Sequence, residues 1–139
     1  MYIPIRFSLR EFLRSEVAEQ AGWADVPTFN VVNNLSELCR RILDPIACRY
    51  GKVVVVTSGW RSERLNKAVG GVDSSQHKTG CAADIRPLLA NETKDLWTII
   101  QGMIDSGEIE PDQVIYYRRR RFIHISWDEF PRKQIMIKE

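Results

Sequence analysis

Apolar residues along this chain recur at helical spacing in its first half and at strand spacing toward its end. Ser8 and Glu11 fit a capping box that opens a first helix, and Leu9, Phe12, Leu13 and Val17 share one face until Gly22. Past Asp25 and Pro27, Thr28 caps a longer helix whose stripe runs Val31, Val32, Leu35, Leu38, Cys39, Ile42, Leu43 and Ile46. Pro45 should kink or break it near Leu43, and Gly51 should end it. The β-branched run KVVVVTS, residues 52–58, reads as a central strand buried on both faces. The stretch ERLNKAV between Ser62 and Gly70 has the length and caps of a short helix, and residues 81–86 form a short strand stopped by Pro87. Leu96, Trp97, Ile100, Met103 and Ile104 mark an inward stripe on a helix over residues 92–105. Residues 113–117, 122–127 and 134–137 read as strands, the first two joined by an arginine-rich turn. The expected fold is α+β: one domain, residues 1–139, with a small, mainly antiparallel sheet packed against N-terminal and middle helices.

Composition narrows the function classes. At 139 residues, 44% hydrophobic and 27% charged, the chain has the make-up of an ordinary globular domain with its own core. A net charge of +2 is too small to imply nucleic acid or an anionic membrane as the main partner. The run Arg118 to Arg121 reads as a solvated hairpin turn that discourages edge pairing. No apolar stretch approaches the ~20 residues of a membrane span. The start, MYIPIRFSLREF, shows no signal peptide, so synthesis in the cytoplasm is expected, with action on a cell wall requiring export or release. The 3 cysteines cannot all pair, and reduced thiols are expected.

The candidate chemistry concentrates in SQHKTGCAAD, residues 75–84. It holds one of the chain's 2 histidines, His77, seven positions before Asp84; the other, His124, lies in FIHISW. Two imidazoles and a carboxylate are a ligand set for one Zn2+, with a fourth position left for water, as in catalytic rather than structural zinc sites. Gly80 supplies a positive-φ turn that lets the chain double back between His77 and Asp84. Strand parity puts Ala82 on the face of Asp84, and Phe122 and Ser126 on the face of His124. Ile123, Ile125 and Trp127 point the other way, toward a core.

The string Ser75, His77, Gly80, Ala82, Asp84 resembles the signature Ser-x-His-x-x-Gly-x-Ala-x-Asp of the zinc D-alanyl-D-alanine carboxypeptidases, the M15 peptidases. Ser58, Gly59, Trp60 and Arg61 match that family's Ser-Gly-aromatic-Arg segment at the end of an upstream strand. Asn66, Gly70 and Gly71 resemble its connection to the metal loop, and FIHIS its C-terminal histidine motif. From about Thr28 to Lys138 the order of parts is similar to the phage and bacterial branch of the family. The resemblance implies that His77, Asp84 and His124 hold zinc, that Arg61 binds a carboxylate or carbonyl of the substrate, and that Ser75 hydrogen-bonds nearby. It also implies hydrolysis of peptidoglycan stem peptides, as a D-Ala-D-Ala carboxypeptidase or related endopeptidase.

One position departs from the pattern. The family places a carboxylate, or in some branches a second histidine, close to the last ligand, whereas here Arg119, Arg120, Arg121, Phe122 and Ile123 precede His124. Similar relatives often carry glutamate near the position of Tyr117. The general base is therefore left open among Tyr117, Asp112 and Asp128, and a catalytically weak relative that binds a cell-wall peptide or a protein partner stands as the alternative.

Overall fold

The computed structural model describes residues 1–139. Its sheet has five strands in the order β1-β2-β4-β3-β5: β1 (Val54–Ser58), β2 (Ala82–Pro87), β3 (Gln113–Tyr117), β4 (Phe122–Ser126) and β5 (Gln134–Lys138). Neighbouring pairs are antiparallel except β3 with β5, which is parallel. The fold is α+β, with a mainly antiparallel sheet. Alternate strand residues Val54, Ala83, Ile85, Val114, Tyr116, Ile123 and Ile125 join Phe12, Leu35, Leu38, Ile42, Leu96 and Ile100 from the helices in one core. The opposite sheet face is left for chemistry, and the parity expected for β2 and β4 is the one observed.

The N-terminal region differs from the expected single helix. Arg14 leaves helical conformation at ψ 135°, and Ser15 then caps a second helix by accepting the Ala18 N–H, giving α1 (Leu9–Leu13) and α2 (Glu16–Ala21). The Ser8–Glu11 capping box is present.

Pro45 acts through a wide turn instead of a break. Between α3 (Phe29–Leu38) and α4 (Asp44–Tyr50), residues Cys39–Leu43 form a π-helical turn in which the Asp44 N–H reaches back to the Cys39 carbonyl. The extra residue accommodates a proline ring that would otherwise press on the carbonyl four positions earlier. The stripe stays buried from Leu35 to Ala47 as a result.

Residues 54–58 of the valine run form β1, but not as a central strand. It is an edge strand, paired with β2 alone; Val54 is buried whereas Val53 is 59% exposed. A valine run records β propensity and not the number of neighbouring strands. The central strand is β4, and β2 beside it is the other inner strand on this side. The remaining helices are α5 (Glu63–Ala68), capped by Ser62, and α6 (Thr93–Asp105), which buries Leu96, Trp97, Ile100 and Met103. No helix is long and apolar enough to cross a membrane, and all three cysteines are free.

Candidate metal centre

Asp84 and His124 are brought together by sheet register. They are direct partners across β2 and β4, so their side chains stand next to each other on the outer face. His77 comes from a short 3-10 turn, Gln76–Thr79, ended by Gly80 at φ 80°. That left-handed conformation suits glycine, and a side chain there would also press on the Val31 carbonyl. The ligand atoms of His77, Asp84 and His124 all lie within 4.8 Å of one another.

The donor set could hold a metal ion. Asp84 Oδ1 is 2.9 Å from His124 Nδ1 and 3.3 Å from His77 Nε2. Ligands about 2.1 Å from a tetrahedral zinc stand about 3.4 Å apart. The far nitrogen of His77 is fixed as well. Nδ1 lies 2.7 Å from the Gly59 carbonyl, which only accepts, so Nδ1 carries the proton and Nε2 presents its lone pair to the site. The carboxylate is buried at 8% exposure. Burial pushes its pKa up, while His124 and His77, when protonated in place of holding a metal, pull it well below the usual carboxylate range through hydrogen bonds and charge.

The segment Ser58 to Arg61 is the cradle for this loop. A Cβ on Gly59 would collide with the Phe12 backbone, so only glycine brings the carbonyl to His77. Trp60 Nε1 donates to the Lys78 carbonyl at 3.1 Å, and the Arg61 N–H to the His77 carbonyl at 3.0 Å. The Arg61 guanidinium donates to Ser58 Oγ at 3.2 Å and to Asn66 Oδ1 at 3.4 Å, and stands 3.6 Å from Asp84 Oδ2. Burial lowers its pKa and the Asp84 charge opposes that change. Of its five N–H donors, at least two are left for another partner. Ser75 caps the metal turn, its Oγ accepting the His77 N–H at 3.3 Å.

All of these side chains except Ser58, Asn66 and Trp60 line a cavity of about 890 Å³ that also contains Tyr117, Asp112 and Asp128. Trp60 faces a neighbouring cavity instead. Asp112, 2% exposed, is fully engaged: it accepts the Arg132 N–H at 2.7 Å, the Arg132 Nε–H shared between both oxygens at 3.1 Å, an Arg132 Nη2–H at 2.7 Å, and the Gln76 amide at 3.0 Å. The Arg132 side-chain bonds hold its pKa below the usual carboxylate range against the opposing pull of burial, and the Arg132 N–H and Gln76 amide add to them. Asp128 lies beyond the end of β4 and accepts only the Phe130 N–H, at 2.9 Å. Tyr117 stacks on Phe122, with ring centroids 4.5 Å apart. Two supports were not foreseen: the Gly59 carbonyl as the anchor of His77, and the clamp joining Gln76, Asp112 and Arg132. Only the Ser-Gly-Trp-Arg motif hinted at the first.

A family model described as peptidase M15 matches residues 5–126, a span holding the whole triad and its cradle. The chain belongs to the peptidase M15 family. No curated protein matches it.

Proposed function

We propose that the chain is a zinc-dependent peptidase acting on peptidoglycan peptides, of the D-Ala-D-Ala carboxypeptidase or related endopeptidase type, with His77, Asp84 and His124 as the metal ligands. The observation that carries this reading is the convergence of these three side chains, within 4.8 Å, in the wall of a cavity. A bound zinc supplies Lewis-acid polarisation of the scissile carbonyl and a water acidified toward neutral pH. Asp84 brings the negative charge that two neutral imidazoles lack. Arg61 orients the substrate: its two spare N–H groups form a planar fork suited to a carboxylate or carbonyl. Ser75 keeps the metal turn in register and borders the substrate space.

Proton transfer needs a separate group. Asp112 has its oxygens taken by four donor groups, and Tyr117 is held in a ring stack. Asp128 is the cavity carboxylate with accepting capacity to spare, and we assign the general base to it. Metal analysis should give one zinc per chain, and digestion of muropeptides followed by mass spectrometry should show loss of a terminal residue or a cut within the stem. Asp128→Asn should lower kcat about a hundredfold with zinc content unchanged. Zinc-free protein after supplementation, or intact muropeptides, would refute the peptidase reading. Binding of muropeptides without cleavage would favour the second reading, a peptide-binding relative. Tyr117 supports that reading, because it stands where similar relatives carry glutamate.

A further inference from the structure

The sheet ends on two edge strands, and they are finished differently. β1 is interrupted by a register shift between Val56 and Ser58, and Glu11 and Arg14 to Val17 help line the groove of about 870 Å³ that runs along it. β5 contains no proline, pairs in unbroken register with β3, and meets no other strand. Its backbone is half used. The Gln134 N–H donates to the Asp112 carbonyl and the Lys138 carbonyl accepts the Arg118 N–H, so residues 134, 136 and 138 turn their amides toward β3. Ile135 and Ile137 therefore present both N–H and C=O to the open edge. Their side chains are open too. They stand beside Val114 and Tyr116, on the core side of the sheet, yet Ile135 is 44% and Ile137 53% exposed. An apolar edge of this kind is a template for another strand. It lies past residue 126, where the family-matched segment ends.

The edge also specifies which strand fits it. Set antiparallel against a second β5 about Met136, the run KQIMIKE, residues 133–139, is complementary to itself. Lys133 falls opposite Glu139 of the other copy, Gln134 opposite Lys138, Ile135 opposite Ile137, and Met136 opposite its own counterpart. The outward amides of Ile135 and Ile137 then fall in hydrogen-bonded pairs, and the two copies exchange about four bonds through them. On the core side the isoleucines of both strands meet, closed at each end by an ion pair. Lys133 has no acidic partner in its own chain, and Glu139 meets only Arg118. Other centres lose the match. Centring the pair on Ile135 sets Arg132 against Lys138, and centring it on Ile137 sets Ile135 against Glu139.

We infer that β5 is the docking edge for a second copy of this chain, joining two five-stranded sheets into one across a two-fold axis at Met136. The axis stands perpendicular to the sheet, so both triad cavities open on the same side. Six strand spacings separate the triads, about 29 Å. The pair thus offers two sites to one extended or cross-linked ligand. Neither zinc nor hydrolysis enters this pairing, which stands or falls apart from the function proposed above.

Sedimentation of the full chain should show monomer at about 1 µM and dimer at about 500 µM, as befits a small, transient interface. Ile137→Pro removes an outward N–H and leaves the ladder to β3 intact, so it should stay monomeric at both concentrations, with thermal unfolding as the folding control. Lys133→Glu and Glu139→Lys change only exposed side chains. Each alone sets like charges together and should raise the dimer Kd about tenfold. Mixed in equal amounts, the two variants restore opposite charges at both ends, and the heterodimer should recover the wild-type Kd. A chain that stays monomeric at the higher concentration overturns the pairing. A dimer that survives in folded Ile137→Pro, or a mixture that recovers nothing, overturns it as well.

Discussion

His77 and His124 meet the same carboxylate oxygen but are held there by different means. His124 sits on the central strand, where pairing to β2 and β3 fixes its backbone and register alone sets it beside Asp84. His77 sits in a turn, and its ring depends on the Gly59 carbonyl, the Arg61 N–H and the αL glycine at position 80. A ligand on a strand inherits its position from the fold. A ligand in a loop needs a dedicated set of hydrogen bonds, and the Ser-Gly-Trp-Arg segment supplies that set.

Asp84→Ala removes the group both imidazoles share and should have the largest effect: stoichiometric zinc falls to near zero by metal analysis, and peptide hydrolysis goes with it. A variant that keeps its zinc would show that the two rings need no carboxylate between them. On the strand side, Tyr117→Glu sets a carboxylate diagonal to His124 on the same face, within reach for a long side chain. Made in the Asp128→Asn background, it should restore about a hundredfold of the lost turnover on muropeptides at constant zinc content; no recovery would detach this rung from proton transfer. On the loop side, Gly59→Ala should weaken zinc affinity about 10–100-fold in chelator competition. Ile115→Ala, opposite His124, should lower the melting temperature and leave zinc affinity near wild type. Equal affinities in these two variants would erase the distinction between strand and loop ligands.

The smallest effect concerns the clamp that joins the metal turn to the C-terminal strand. Asp112→Asn should cost about 2 kcal/mol in denaturant unfolding. Because the folded pKa of Asp112 is lowered, its contribution is complete above the unfolded carboxylate value of about pH 4 and fades as pH drops through the folded value. The acid limb of the stability profile should therefore be steeper in wild type than in the variant.

Helix stripes, caps and strand parity were legible because each depends on near neighbours: the Ser8–Glu11 box, the Thr28 cap and the β4 alternation all appear where the pattern puts them. The edge position of β1 was not legible, since valines say nothing about how many strands flank them. The split at Arg14 was hidden because Ser15 caps α2 just two residues past the end of α1. At the site, the spacing from His77 to Asp84 marked the loop and the resemblance pointed to His124, but the links from Gly59 to His77 and from Gln76 to Asp112 span 18 and 36 residues. Such contacts exist only once the chain has folded.

The widened turn at Cys39–Leu43 has a consequence for chain length in that region. One residue of α-helix is about 100° of rotation. Straightening the turn to regular helix with no residue lost would swivel α4 by that angle, carrying Ala47 to the exposed place of Cys48 and Pro45 to the buried place of Ile46. Losing one residue from the turn would keep α4 in phase and instead press the Pro45 ring on the carbonyl four positions earlier, so Pro45→Ala should rescue such a deletion.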